Sequence, residues 1–166
     1  MLKLVQPTAG VFDTWFREST DRQAEDRAWA LGGDVETHRA QVSAMIPQLL
    51  PDGKDTPGHT FRIAQTEEGT DIAFVWFGTV PGMPSNARLL FDVYVAPEQR
   101  RKGYARTILT RMLAEMSAEG VEEVSLHARG DNVPALTLYE SLGFTRTETS
   151  SDGKQVQMRL GLRQPL

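Results

Sequence analysis

The chain has 166 residues, 40% of them hydrophobic and 24% charged, with a formal net charge of −4 and an isoelectric point near 5.4. That length suits one soluble domain with its own core, and the acidic balance argues against nucleic acid as the main partner, because phosphate binding is driven by clustered Lys and Arg. There is no cysteine, which excludes disulfides, thiolate nucleophiles and cysteine-ligated metals and is compatible with a reducing cytosol.

Leu2 to Val5 reads as a short first strand ended by Pro7. Thr8 to Leu31 follows as a long helical stretch, with Phe12, Trp15, Phe16 and Trp29 among many charges, and Gly32-Gly33 stops it. Asp34 suits the N-cap of a second helix, in which Val42, Met45, Ile46 and Leu49 recur as one buried stripe and Pro51 is the terminator. Residues 51–58, rich in Pro, Asp and Gly, form a loop. Two strands come next, His59 to Thr66 and Ile72 to Val80, joined by the turn at 67–70. After a Pro- and Gly-containing connection at 81–86, Leu89 to Val95 is the fourth strand.

A third helix shows the plainest apolar face, made of Ala105, Ile108, Leu109, Met112, Leu113 and Met116, and Gly120 closes it. Val121 to Ala128 is a fifth strand, and Val133 to Leu142 a helix with Pro134 in its first turn and Gly143 at its end. The last two strands are Phe144 to Ser150 and Gln155 to Leu162, the latter half buried through Val156, Met158 and Leu160. The order β-α-α-β-β-β-α-β-α-β-β, without repeats or linkers, predicts one mixed α/β domain over 1–166. No segment approaches the roughly 20 apolar residues of a membrane span, and the N-terminus lacks a signal-peptide run. The expected location is the cytoplasm, with no membrane partner.

The chemistry concentrates where the fourth strand ends. Val93-Tyr94-Val95 leads into a basic loop, Arg100-Arg101-Lys102, and a helix then opens at Gly103-Tyr104-Ala105-Arg106. A helix N-terminus exposes unpaired N–H groups and a partial positive charge, so it favours an anion. Gly103 lets the backbone approach a phosphate closely, and Ala105 leaves room beside it. Four basic residues at a helix start oppose the usual preference for acids there, a conflict that a bound pyrophosphate would resolve.

The run Arg100 to Ala105 fits the R/Q-x-x-G-x-G/A signature of the GNAT acetyltransferase superfamily. Downstream, Asn132, Ala135, Tyr139-Glu140 and Gly143-Phe144 resemble that family's second motif, in the right order and with a strand between. The resemblance covers most of the chain, and the 49–59 segment is similar to a bacterial subgroup of unassigned substrate. It implies a mixed, mostly antiparallel sheet of about seven strands flanked by about four helices. It implies acetyl-CoA as cosubstrate, with the backbone of Val93, Tyr94 and Val95 on the pantetheine arm and the loop from Arg100 through Arg106 around the pyrophosphate. Asn132 would bond the cofactor where the fourth and fifth strands splay, and Tyr139 would stand near the sulfur.

The implied reaction is direct attack of a primary amine on the thioester in a ternary complex. It needs a donor for the oxyanion, a proton for the sulfur and removal of the amine's proton. A backbone N–H near Val93 or Tyr94 suits the first, and the Tyr139 phenol suits the second as general acid. The base is open. Asp92 is either a base or a structural acid, the second being favoured, and strand alternation puts it on the face opposite Phe91 and Val93. His127 is another candidate, and a neutral amine needs no base.

The first helix carries Asp13, Glu18, Asp21, Glu25 and Asp26 among Arg17, Arg22 and Arg27, a mixture that usually forms a solvated face. Trp15, Trp29, His38 and His59 are candidates for lining an acceptor pocket, although such residues more often belong to the core. No His, Asp or Glu cluster has metal spacing. The acceptor is read as a small-molecule or peptide amine. The alternative is a non-catalytic acyl-CoA-binding sensor or interaction module, and homodimerisation through the last strands is left open.

Overall fold

The computed structural model describes residues 1–162. In chain order it has β1 (Lys3–Val5), α1 (Ala9–Leu31), α2 (Val35–Leu49), β2 (Thr60–Gln65), β3 (Asp71–Gly78) and β4 (Ala87–Val95). These are followed by α3 (Tyr104–Ala118), β5 (Glu123–Arg129), α4 (Val133–Ser141), β6 (Thr145–Thr149) and β7 (Gln155–Gly161). The seven strands form one sheet in the order β1-β2-β3-β4-β5-β7-β6, and only β4 and β5 run parallel. The mixed, mostly antiparallel sheet with four helices is the one expected from the sequence.

Local chemistry sets the helix ends. The Thr8 hydroxyl accepts from Val11 N at 3.4 Å and the Asp34 carboxylate from Thr37 N at 3.2 Å, so each fills one orphan donor of a first turn. Gly32, at φ 77°, stops α1 in a conformation other residues resist. Pro47 lies inside α2 without ending it, close enough to the terminus that few backbone bonds are at stake. The α2 stripe differs from expectation at one residue. Val42 is buried and Ile46 and Leu49 pack on the core, but Met45 is 52% exposed. Three apolar positions suffice to seat this helix, and the fourth falls on its outer shoulder.

β3 is buried on both faces and organises two cores. Ala73, Val75 and Phe77 meet Ile108, Leu109, Met112 and Met116 of α3 on one side. Phe74 and Trp76 meet Phe12, Trp15 and Phe16 of α1, with Phe61 and Ile63 of β2, on the other. Each fully buried large side chain here contributes about 1.5–3 kcal/mol, so the sheet is clamped between α3/α4 and α1/α2. β4, next to β3, carries Asp92, Val93, Tyr94 and Val95 of the candidate site on this rigid centre.

Candidate active site

β4 is irregular where it matters. Asp92 pairs with Trp76 and Leu90 with Phe77, which leaves Phe91 without a partner as a bulge. The extra residue resets the alternation. Phe91 stacks on Trp76 with ring centroids 4.1 Å apart, and Asp92 also turns to the α1 side, whereas Leu90 and Val93 face the α3 core. Asp92 is therefore opposite Val93, as expected, but shares its side with Phe91, and the bulge is the reason.

β5 accompanies β4 for only four residues, Ala87 to Leu90 against Glu123 to Leu126. Beyond Leu90 the two strands part, and a cleft of about 820 Å³ opens between them, lined among others by Asp92, Val93, Tyr94, His127, Asn132 and Tyr139. Ala96 N bonds Ile72 O across the β3 ladder. By antiparallel alternation the backbone of Tyr94 and Asp92 then also faces β3, and that of Val93 and Val95 faces the gap. In agreement, Val95 O accepts from the Arg100 side chain rather than from β3.

The basic loop follows β4 and is linked to the cleft wall through Arg100, which lies over the ring of the cleft-lining Tyr94. Gly103 is left-handed at φ 78° and caps α3 without a side-chain bond, and Arg101 also adopts a positive φ of 63°. Among the described residues the backbone N–H groups of 101–106 have no acceptor, and pairing resumes with Thr107 N to Gly103 O at 3.1 Å. Such a run of unpaired N–H groups at a helix start is an anion cradle. The side chains divide their roles. Arg101, Lys102 and Arg106 are exposed, with Arg106 tied to Ser141 of α4 at 2.6 Å and Lys102 to Gln99 at 3.0 Å. Arg100 turns away from the cradle, donating to Val95 O at 2.9 Å and lying 5.1 Å from the Tyr94 ring. Tyr104 and Ala105 pack against the α3 core, so they can offer the cradle only backbone.

Asn132 caps α4, its Oδ1 accepting from Ala135 N at 3.3 Å. Later in α4 Tyr139 meets Phe144 edge to face at 5.9 Å and lines the cleft, its hydroxyl without a hydrogen-bond partner among the described residues. Burial, and secondarily the charge of Asp92, pushes its phenol up to about 12. Asp92 is raised as well, by burial, against the opposing pull of Arg22 and a hydrogen bond from Ser19. Arg22 reaches Asp92 at 2.7 Å and lies 3.6 Å above the Tyr94 ring.

Arg22 is the principal residue missing from the sequence reading. Ser19, Arg22, Gln23, Asp26, Arg27 and Ala30 recur at helical spacing and all line the cleft. The mixed charges of α1 are thus partly an inward polar stripe rather than a solvated face. Arg129 of β5 holds Asp131 through two bonds and Asp26 through a third, and covers Trp29 at 4.0 Å. Lys154 donates to Trp29 O at 3.1 Å from the β6–β7 turn. Trp29 stands at this rim, whereas Trp15 packs on Phe74 and Tyr94, His38 bonds Gly32 O at 2.7 Å, and His59 accepts from Trp76. None of these four lines the cleft.

The model of the acetyltransferase (GNAT) family matches residues 16–144. The chain belongs to that family. This N-acetyltransferase is 26% identical over 137 residues to the uncharacterized N-acetyltransferase YycN of Bacillus subtilis, covering 82% of this chain and 88% of YycN. The solved structure of that protein superposes with a TM-score of 0.80 over 90% of this chain and 96% of its own. A mycothiol acetyltransferase of Kocuria rhizophila is 36% identical over 163 residues, 88% of this chain, and this chain spans about half of it, 54%. The fold is shared too by the PaiA N-acetyltransferase of Thermoplasma acidophilum, solved with coenzyme A, at a TM-score of 0.70 and 16% identity over 97% of this chain and 99% of PaiA. Among the described residues no helix is long and apolar enough to cross a membrane.

Proposed function

We propose that this N-acetyltransferase binds acetyl-CoA along the β4–β5 gap and transfers the acetyl group to a primary amine by direct attack in a ternary complex. The observation that carries the reading is the uncapped start of α3, whose N–H groups at 101–106 have no acceptor among the described residues and follow closely on β4, whose Tyr94 lines the same cleft as Tyr139. These groups fit a pyrophosphate: the backbone donors converge, Gly103 leaves open space, and Arg101, Lys102 and Arg106 add charge. The free edge of Val93 and Val95 fits an amide-bearing arm, which would pair with it as a strand does. Asn132, already spent in part as a cap, has its side-chain amide N–H left for the same guest.

Bound acetyl-CoA supplies a thioester carbonyl open to attack. The Val93 N–H, turned into the gap, is placed to donate to the carbonyl oxygen as negative charge builds there. The Tyr139 phenol, held protonated by burial, donates to the departing sulfur. Asp92 is occupied by Arg22 and Ser19, which suits a brace between β4 and α1 better than a base. His127, exposed in the cleft, is a side chain there suited to take the proton of the amine.

The test is thermal unfolding with acetyl-CoA, with CoA and ATP as comparators. At a ligand concentration of about 100 Kd, binding should stabilise the fold by about 2.7 kcal/mol. A rise with acetyl-CoA followed by amine-dependent thiol release supports the enzyme. Binding without turnover on any amine would favour a sensor, and no binding at millimolar ligand would end the reading.

A further inference from the structure

Within the cleft the carboxylates are already answered. Asp92 is held by Arg22 at 2.7 Å, and Asp26 and Asp131 are both held by Arg129. Glu25, the fourth, is exposed to solvent, where its charge is screened. The cations are not matched in the same way. The Lys154 ammonium makes no ion pair among the described residues; it donates to Trp29 O and lies 5.3 Å from the Trp29 ring. The Arg27 side chain makes no hydrogen bond or ion pair among them, and its Nε is sealed from solvent without an acceptor.

Arg27 lies on the inward stripe of α1, four residues after Gln23 and one after Asp26, and lines the cleft wall. Only Nε is sealed from solvent in this half-buried side chain; the two terminal nitrogens, also without an acceptor among the described residues, remain open to a ligand. Arg keeps its proton throughout, so the unanswered charge persists. The partner suited to its planar fork is a carboxylate bound through two parallel bonds.

We propose that Arg27, with Lys154 as the second cation of the cleft without an ion pair among the described residues, receives a carboxylate of the acceptor. The substrate class is then an amine that carries a carboxylate, such as an amino acid or a short peptide, rather than a polyamine. A polyamine would need free buried acids, and Asp26, Asp92 and Asp131 are all engaged by arginines. This rests on the acetyltransferase reading given above and narrows its acceptor.

The experiment uses the full chain saturated with CoA. N-acetyl amino acids, as product analogues, are titrated in parallel with their carboxamides, and the Arg27 Nε–H resonance is followed by ¹⁵N NMR, assigned by its loss in Arg27→Lys. The expected result is a saturable shift with the carboxylates, which bind at least tenfold more tightly than the carboxamides. Arg27→Gln should remove that preference while leaving the CoA-induced rise in Tm intact. Arg27→Lys, which keeps the charge, should retain part of the preference and covers the case in which Arg27→Gln fails to fold. Equal binding of acids and amides, no saturable shift with any acid, or a preference that survives Arg27→Gln overturns the proposal. If CoA binds and these results are negative, only the acceptor class falls. If CoA itself fails to bind, the acetyltransferase reading falls and takes the acceptor class with it.

Discussion

Replacing Tyr139 by Phe should separate catalysis from stability. A rise of the phenol from 10 to about 12 favours its protonated form by about 2.7 kcal/mol, so at neutral pH the side chain carries a proton to donate. Its hydroxyl bonds no described residue, and its ring is held by Phe144 and the α3 core. Removing the oxygen therefore leaves no protein partner unsatisfied, and urea unfolding should change by less than about 1 kcal/mol. The transition state, by contrast, loses the proton donor of the departing sulfur. General acid catalysis is worth about 10²–10⁴ in rate, which corresponds to about 2.7–5.4 kcal/mol of barrier. The assay is single-turnover thiol release from prebound acetyl-CoA with saturating amine, read beside equilibrium binding of CoA. Binding should be unchanged within twofold and the rate should fall at least a hundredfold. A variant that releases thiol at the wild-type rate in a single turnover, or that loses several kcal/mol of stability, refutes the assignment.

Asp92→Asn removes the charge that adds to the Tyr139 shift, so the Tyr139 titration, isolated as the ultraviolet difference from Tyr139→Phe, should move below about 12; an unmoved titration would contradict their coupling. A double-mutant cycle of Asp92→Asn with Arg22→Met should give about 1–3 kcal/mol, less than a fully buried pair because both side chains keep some solvent contact, 17% and 26%. Gly103→Val meets open space but must hold φ at 78°, so it should cost about 1–2 kcal/mol and weaken acetyl-CoA binding by more than tenfold, measured by calorimetry. His59 is lowered from 6.5, by burial first and Arg88 second, and its Nδ1 accepts from Trp76 at 3.1 Å. A depressed base binds more protons when unfolded, so its contribution is whole above pH 6.5 and is lost as pH falls through its folded value; Tm should drop over that range, and less so in His59→Gln.

The elements were legible because their signals are local. Thr8, Asp34 and Gly32 each act within one turn, and the apolar spacing of Ile108, Leu109, Met112 and Met116 has no other economical packing. The uncapped, basic start of α3 was legible for the same reason, since Gly103 and the bases around it are contiguous. What escaped depends on pairing between distant segments. The bulge at Phe91 exists only because β3 supplies one residue fewer than β4, and nothing in Leu89 to Val95 taken alone reveals it. Arg22 and Asp92 are 70 positions apart, and Arg129 and Asp26 are 103. The available hint was periodic. Ser19, Arg22, Gln23, Asp26, Arg27 and Ala30 form a polar stripe at helical spacing on a helix whose Phe12, Trp15 and Phe16 anchor only its first half. Such a helix has a polar stripe facing the protein beyond its apolar anchor, and a polar face turned inward needs either partners or a ligand.

The placement of these charges divides the proposed binding tasks between the two faces of the sheet. On the α3/α4 side the cradle is mostly backbone, with exposed bases at its edge, so it depends on conformation more than on any one side chain. On the α1 side the proposed recognition is by side chains, set on a helix whose apolar anchor packs in the other of the two cores. The two meet only across the gap, where the bulge turns Asp92 toward α1 while Val93 remains on the α3 side. If the cofactor and acceptor readings are both right, substitutions at Ser19, Gln23, Arg27 and Ala30 should change which amine is used and leave acetyl-CoA affinity within twofold. Arg22 should behave differently, because through Asp92 and Tyr94 it braces the strand that both partners share. Losing it should alter acceptor use and cofactor affinity together, which calorimetry with CoA and a competition assay among amines would read separately. Independent responses at Arg22, or linked ones at Gln23, would mean that the sheet does not partition the site in this way.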